Sequence, residues 1–298
     1  MLCMIVVIVL LALAAATFAI CAIVHSSQDT PDDPNAPQTP NTSFEYKNFT
    51  VESSKYQVGP LIVVNKQNAY DFPSNPTVGF VNPETTERAQ VDGSNVYQIY
   101  KDPKNPTKSK QMQKVAFEAF ERMMIDFFNS PGGDGKVAIS EAYRSQSRQE
   151  DIGSSTPAGH SDHHTGYLIA LCNFDGTDLK TDHWVYQNCH KYGFVIRYPE
   201  EKKDITGVSG YTECIRYVGV AHATYMKNNN ISLEEYVNRL RGYTVESQLI
   251  VDGADGNSYA IYYVPKSATE ITTYASPAHA EISGNNIDGF VVTVNLSA

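Results

Sequence analysis

The fold is decided by the stretch Ser140-Glu-Ala-Tyr-Arg144-Ser-Gln-Ser-Arg-Gln149, which is followed by Pro157-Ala-Gly-His-Ser161-Asp-His163-His-Thr-Gly166. Two further motifs, Tyr192-Gly-Phe-Val-Ile-Arg197-Tyr-Pro199 and Arg216-Tyr-Val-Gly219, come later in the chain. Histidine and carboxylate side chains are common ligands of zinc, so the segment from His160 to His164 looks at first like a metal cluster.

In order and spacing, these motifs resemble the D-alanyl-D-alanine carboxypeptidases of the vancomycin-resistance type, which belong to the LAS group of zinc peptidases. The resemblance extends from about Lys136 to Leu240 and includes Ile205-Thr-Gly207. It implies an α+β fold in which helices pack on a small antiparallel sheet, the LAS or hedgehog-like peptidase core. It also implies a peptide-binding cleft and a zinc ion held by three side chains.

Several positions depart from the family pattern. The family motif Ser-Glu-His-x-Thr-Gly-x-x-x-Asp supplies two zinc ligands, which fall on His163 and Ala170. The motif Glu-Pro-Trp-His-x-Arg-Tyr-Val-Gly supplies the general base and the third ligand, which fall on Tyr211 and Cys214. A catalytic zinc site needs three protein ligands and a carboxylate that takes a proton from the bound water. Alanine has no donor atom and a tyrosine phenol is a poor base at neutral pH. We therefore expect a catalytically inactive member of the family, with no catalytic residue and no cofactor.

An active enzyme with rearranged zinc ligands is the alternative. His163 and Cys214 still carry donor atoms, and another local donor would complete the site. If residues 210–218 form one strand, Glu213 faces the same side as Tyr211 and becomes a displaced general base. In this interpretation the protein is a zinc-dependent D,D-carboxypeptidase. The neighbours of His163 (His160, Asp162 and His164) look like a metal cluster, but on the family pattern they are loop residues.

The substrate-binding positions match the family better than the metal positions do. The resemblance implies that Arg144 stabilises the oxyanion or the substrate carboxylate and that Gln149 and Ser161 contact the peptide. The alternative for Arg144 is that it anchors its own loop through a buried carboxylate. The survival of these positions suggests that the cleft still binds peptidoglycan stem peptides with a D-Ala-D-Ala end, or a partner peptidase. Arg197, Tyr198 and Arg216 are expected to be architectural.

Composition excludes some other functions. The net charge is −10, and no basic stripe is present, which argues against nucleic-acid binding. Cys172, Cys189 and Cys214 lie in the domain, and we expect buried free thiols in preference to a Cys172–Cys189 disulfide.

The N-terminus predicts a membrane anchor. Leu2 to Val24 is uncharged and apolar, which is long enough to span a bilayer. We expect residues 1–25 to be an uncleaved single-pass transmembrane helix and residues 26–45 to be a Pro- and Asp-rich linker. The linker lacks Lys and Arg, so we place the domain on the extracellular face of the membrane, with secretion as the alternative.

The rest of the chain divides into a carboxypeptidase-like core (46–242) and a small β-rich C-terminal module (243–298). In the core we predict strands at Leu61–Asn65 and Lys136–Tyr143 and helices at 109–130, 178–192 and 233–240, the last with a Ser232/Glu235 capping box. A third hypothesis for function is an extracellular scaffold that acts through the C-terminal module, with the old cleft filled.

Overall fold

The structure is a computed structural model that describes residues 46–274 and 279–297. The predicted anchor (1–25) and linker (26–45) lie outside these residues. Among the helices of the described segments, none has the length and apolar character needed to cross a membrane.

The helices are α1 (Lys114–Phe128), α2 (Gln146–Asp151), α3 (Trp184–Asn188), α4 (Lys203–Thr206), α5 (Val220–Asn229) and α6 (Leu233–Leu240). Short 3-10 helices are Ser53–Gln57, Asp162–Thr165, Cys189–Tyr192 and Glu200–Lys202. The first strands are β1 (Tyr46–Thr50), β2 (Phe80–Val81), β3 (Gln90–Val91), β4 (Ser94–Asn95), β5 (Gln98–Ile99), β6 (Met112–Gln113), β7 (Val137–Glu141) and β8 (Leu168–Asn173). The later strands are β9 (Phe194–Ile196), β10 (Cys214–Tyr217), β11 (Leu249–Asp252), β12 (Ser258–Pro265), β13 (Glu270–Tyr274), β14 (Ala280–Gly284) and β15 (Gly289–Asn295).

The central sheet has five strands in the order β5-β7-β8-β10-β9. Neighbouring strands are antiparallel except β5 and β7, which are parallel. The predicted α+β class is therefore confirmed, and the predicted antiparallel sheet is corrected to a mixed one. Three further strand pairs, β2–β6, β3–β4 and β1–β13, lie outside this sheet.

The two faces of the central sheet have different partners. Ile169 and Leu171 of β8 lie in the core that α1 covers with Phe120, Met124 and other apolar side chains at helical spacing. Because side chains alternate along a strand, Leu168 and Ala170 point to the opposite face. There they pack with Tyr198 and Cys214 in a separate small cluster, and this face carries the cleft described below.

A second sheet, in the order β11-β12-β15-β14, contains most of the C-terminal residues. Its inward side chains share one hydrophobic core with α5 and α6 and with Leu61 and Val63 from the start of the domain. The C-terminal strands therefore pack directly on the preceding helices.

The predicted strand at Leu61–Asn65 is wrong, although Leu61 and Val63 are buried as expected. Its backbone groups bond to the β14–β15 region instead of to a strand ladder. Leu61 N donates to Ser283 Oγ at 2.9 Å and Val63 N donates to Asn285 O at 3.0 Å. Side-chain and loop acceptors from the C-terminal sheet thus satisfy this segment without a regular strand.

The predicted helices are located correctly but have different ends. The predicted 178–192 helix begins only at Trp184, because the side chain of His183 caps it by accepting from Val185 N at 3.2 Å. The predicted 109–130 helix begins at Lys114, after strand β6. The third helix, with its Ser232/Glu235 capping box, is confirmed at Leu233–Leu240.

His222 joins α5 to both neighbouring elements. Its Nδ1 lies 2.6 Å from the hydroxyl of Tyr236 in α6, and its Nε2 lies 2.9 Å from Thr293 Oγ1 in β15. Burial lowers the pKa of His222 to about 3. The ring is therefore neutral in the folded protein at ordinary pH, whereas in the unfolded chain it takes up a proton near pH 6.5.

We predict that the free energy of unfolding decreases as the pH is lowered from about 6.5 towards 3, because the unfolded chain binds a proton that the folded protein does not. His222 contributes at most about 1.4 kcal/mol per pH unit to this slope. Urea denaturation at several pH values measures it. His222→Gln should be less stable at pH 7 but should show a shallower slope. An unchanged slope in the variant would contradict the assignment.

Candidate functional site

The cleft on the Leu168/Ala170 face has two halves, with volumes of about 360 and 770 Å³. Arg144, His163, Tyr211 and Cys214 line both halves. We call them the Lys66 half and the Glu213 half, after one residue that lines only that half. The Lys66 half is also lined by Asn65, Ser154, Ser155, Thr156, His160, Ser161, Tyr198 and Ser209. The Glu213 half is also lined by Asp102, Lys104, Lys108, Glu141, Arg148, Asp151, Ala170, Cys172 and Asp178.

The sheet brings the three expected ligand positions together. Cys214 of β10 lies directly across from Ala170 of β8, and His163 lies in the 3-10 helix that precedes β8. The Nδ1 of His163 contacts Ala142 O at 2.6 Å. Burial and the nearby Arg144 lower the pKa of His163 to about 4, so its ring is neutral at pH 7. Burial and the carboxyl group of Glu213 raise the pKa of the Cys214 thiol, which therefore stays protonated.

These residues do not fit the zinc ion that the family resemblance implies. Ala170 provides no donor atom, so His163 and Cys214 are the two donors left at the three ligand positions, and a catalytic zinc site needs three. Within residues 46–274 and 279–297, no group of three His, Cys, Asp or Glu side chains is arranged to hold a metal ion. We therefore derive no catalytic step through zinc, and the expectation that the protein needs no cofactor stays a prediction.

Glu141 is a site residue that the sequence did not reveal. In β7, Ile139 pairs with Leu171, but the next paired residue is Glu141, which lies across from Ala170. The irregularity at Ser140 is a bulge, and it places a carboxylate next to the position where the family has its metal-binding aspartate. The only sequence signal was an acidic residue inside the motif that contains Arg144.

Arg144 is anchored through the buried carboxylate of Glu141, which is the alternative role predicted for this arginine from the sequence. Its Nε donates to Glu141 Oε1 at 3.0 Å and its Nη2 donates to Glu141 Oε2 at 2.5 Å. Its Nη1 donates to Gln149 Oε1 at 2.8 Å. These bonds leave two of the guanidinium donors for a ligand, and Arg144 still lines both halves of the cleft.

Gln149 and Ser161 have different surroundings. Gln149 is 2% exposed, and its Nε2 donates to Thr156 O at 2.7 Å while its Oε1 accepts from Arg144. Gln149 therefore positions Arg144 in this structure and does not face the cleft. Ser161 lines the Lys66 half, and in the described part of the chain its hydroxyl has no hydrogen-bond partner. This placement agrees with the predicted contact between Ser161 and a ligand.

Tyr211 and Glu213 do not share the face of a strand, contrary to the expectation for residues 210–218. The strand β10 begins at Cys214, and Cys214 N donates to Tyr211 O at 3.2 Å across a turn. Tyr211 is 52% exposed at the mouth of the cleft. Burial and the nearby Asp178 raise the pKa of Glu213, which lines only its own half.

The other residues of the histidine cluster have partners that fix the loop. His160 Nδ1 lies 2.7 Å from Asn65 O, and His164 Nδ1 lies 2.6 Å from Arg144 O. Asp162 is fully buried and accepts from Arg197 Nε at 2.6 Å and from Arg216 Nε at 3.1 Å. The loop-residue interpretation of these side chains, and the architectural role of the two arginines, are therefore supported by the contacts.

We predict that Asp162→Asn lowers the free energy of unfolding by about 3–5 kcal/mol, because it leaves two buried guanidinium groups without their shared carboxylate. Urea denaturation measures this loss. The control is Glu200→Gln, which removes an exposed ion pair with Lys203 and should change stability by less than about 0.5 kcal/mol. Equal effects of the two substitutions would contradict the role given to Asp162.

The sequence of this chain is similar to those of known D-alanyl-D-alanine carboxypeptidases. Residues 109–220 match the family model described as VanY, D-alanyl-D-alanine carboxypeptidase. A D-alanyl-D-alanine carboxypeptidase of Enterococcus faecium is 36% identical over 197 residues, which cover 61% of this chain and 61% of that protein. The putative carboxypeptidase YodJ of Bacillus subtilis strain 168 is 29% identical over 155 residues, covering 44% of this chain and 55% of that protein. The chain thus spans less than two thirds of the length of these relatives.

A solved structure extends the likeness over most of the fold. The vancomycin-resistance D,D-dipeptidase VanXYg, in complex with a D-Ala-D-Ala phosphinate analogue, is 25% identical. It superposes with a TM-score of 0.66 over 84% of this chain and 99% of that chain. The family resemblance predicted from the motifs is confirmed.

Proposed function

We propose that this protein, whose residues 109–220 match the VanY D-alanyl-D-alanine carboxypeptidase family model, binds peptidoglycan stem peptides ending in D-Ala-D-Ala without hydrolysing them. The observation that carries the proposal is the pairing of Ala170 with Cys214 in an open cleft. The ligand positions have lost their metal chemistry while the cleft and Arg144 are retained. We further propose that the protein acts at the extracellular face of the membrane, held by residues 1–25. A partner peptidase is the alternative occupant of the cleft.

The Lys66 half is suited to the carboxylate end of such a peptide. Arg144 has two free donors, and the hydroxyl of Ser161 and the ammonium of Lys66 lie in the same wall. Glu141 and Gln149 fix the position of the guanidinium before a ligand arrives, which reduces the entropy cost of binding. Since Glu141 neutralises part of the charge on Arg144, Lys66 supplies the additional positive charge.

Hydrolysis would need an activated water molecule, and the residues of the cleft offer no route to one. His163 and Cys214 are two donors where a catalytic zinc site needs three, and Tyr211 stands at the position of the general base. Glu213 lines one half together with His163 and Cys214, but it lies before β10, outside the strand geometry that would make it a substitute for the base.

One observation favours the second candidate, an active zinc peptidase with rearranged ligands. Glu141 places a carboxylate directly across from Ala170. That carboxylate is, however, held by Arg144 through both of its oxygens, and a metal ion would have to displace this ion pair. The scaffold hypothesis assumed a filled cleft, whereas the cleft of this structure is open.

Binding of Nα-acetylated Lys-D-Ala-D-Ala, measured by titration calorimetry, tests the proposal. We expect Arg144→Gln and Ser161→Ala to weaken binding, the first by about tenfold or more, because a charge-assisted hydrogen bond is lost. Since Arg144→Gln leaves Glu141 unpaired, Glu141→Gln/Arg144→Gln is measured as well, with circular dichroism to verify folding. Arg241→Gln, an exposed arginine paired with Asp288, serves as the control. Binding unaffected by the Arg144 variants, or no binding by the parent protein, would contradict the proposal.

Zinc content separates the two candidates. After dialysis against micromolar zinc, we expect the parent protein to retain far less than one zinc ion per chain. The variant Ala170→Asp/Tyr211→Glu/Cys214→His restores the family pattern and should retain about one. Elemental analysis measures both. A stoichiometric zinc ion in the parent protein would favour the active enzyme.

A further inference from the structure

The two halves of the cleft differ in charge. Among the residues that line the Lys66 half, none is an Asp or a Glu, and Lys66 and Arg144 are cationic. Hydroxyl groups make up much of the rest of that wall. This half therefore favours an anionic group.

In the Glu213 half, two of the cations, Lys108 and Arg144, are paired with carboxylates. Lys108 Nζ lies 2.9 Å from Asp102 Oδ2, and Arg144 is paired with Glu141. Arg148 Nη2 donates to the neutral amide oxygen Asn105 Oδ1 at 3.0 Å, and its Nε is buried without a hydrogen-bond partner in the described residues, so the charge of Arg148 has no acidic partner there. On the exposed rim, Lys104 and Asp151 have opposite charges.

The carboxylate of Glu213 has no such partner. Within the described residues its side chain makes no ion pair or hydrogen bond with another residue, and neither does the side chain of Asp178 in the same wall. Glu213 is half-buried and lines an open cavity, so a cation that enters this half meets a carboxylate that no other side chain holds.

We propose that Glu213, with Asp178 near it, selects peptides that carry a primary amine. This inference rests on the proposed function and adds the orientation in which the peptide lies in the cleft. The carboxylate end of the peptide lies in the Lys66 half, and the amine-bearing side chain of the residue before D-Ala-D-Ala extends into the Glu213 half. A volume of about 770 Å³ accommodates a side chain of the length of lysine. The position of Glu213 corresponds to a tryptophan in the family motif, so this selectivity belongs to this chain.

The test compares three Nα-acetylated peptides, X-D-Ala-D-Ala, in which X is lysine, Nε-acetyl-lysine or norleucine. We expect the parent protein to bind the lysine peptide about tenfold more tightly than the other two, because an ammonium–carboxylate bond forms in a partly desolvated site. In Glu213→Gln this preference should disappear, and Asp178→Asn should reduce it. Glu87→Gln, an exposed glutamate outside the cleft wall, should retain it.

The outcomes distinguish this inference from the proposed function. Equal affinity of the parent protein for all three peptides, or a lysine preference that survives in Glu213→Gln, would overturn the inference and leave the proposed function standing. Failure of all three peptides to bind would overturn both. Because the Glu213 side chain makes no hydrogen bond or ion pair with another described residue, Glu213→Gln should fold with undiminished stability, which urea denaturation verifies.

Discussion

The buried carboxylate of Asp162, shared between Arg197 and Arg216, is the interaction on which the rest of the site depends. It joins the 3-10 helix before β8 to the residues that follow β9 and to β10. Arg197 also bonds to Glu234 of α6, and Arg216 Nη2 donates to Ile62 O at 3.2 Å. One buried network therefore holds the loop that carries Ser161 and His163 against the sheet, against helix α6 and against the start of the domain. Two positive and two negative charges balance within it, which makes the burial of both arginines tolerable.

This network supports a cleft whose side chains differ from the family motif. The acid that the family places at 170 is absent, and a bulge at Ser140 brings Glu141 to the neighbouring strand at the same level. Glu141 is paired there with Arg144 through both of its oxygens. The result is a rigid, partly neutralised guanidinium group between a half that favours anions and a half that holds an unpaired Glu213. This arrangement is the basis of the proposal that the cleft binds a charged peptide without hydrolysing it.

Most of the candidate site could be located from the sequence, because the motifs that form it are short and local. The ligand positions at His163, Ala170 and Cys214 and the architectural role of Arg197 and Arg216 follow from the family motifs, and the Ser232/Glu235 cap follows from a local pattern. The Glu141–Arg144 pair was open as an alternative, but the partner could not be named, because a bulge depends on the register between two strands. The Leu61–Asn65 segment was misassigned for a similar reason: its hydrogen-bond partners lie more than 200 residues away in the sequence. The turn from Tyr211 to Cys214 moved Glu213 off the strand face, which periodicity alone did not indicate.

The central claim is that the cleft binds without catalysis, and release of D-alanine tests it most directly. The purified protein, with zinc added, is incubated with a pentapeptide wall precursor, and free D-alanine is quantified beside an active D,D-carboxypeptidase as a positive control. Circular dichroism on the same sample verifies that the protein is folded. The account predicts no release above the background without protein. Zinc-dependent release by the folded protein would contradict it and would require a metal site built around His163, Cys214 and one of the nearby glutamates.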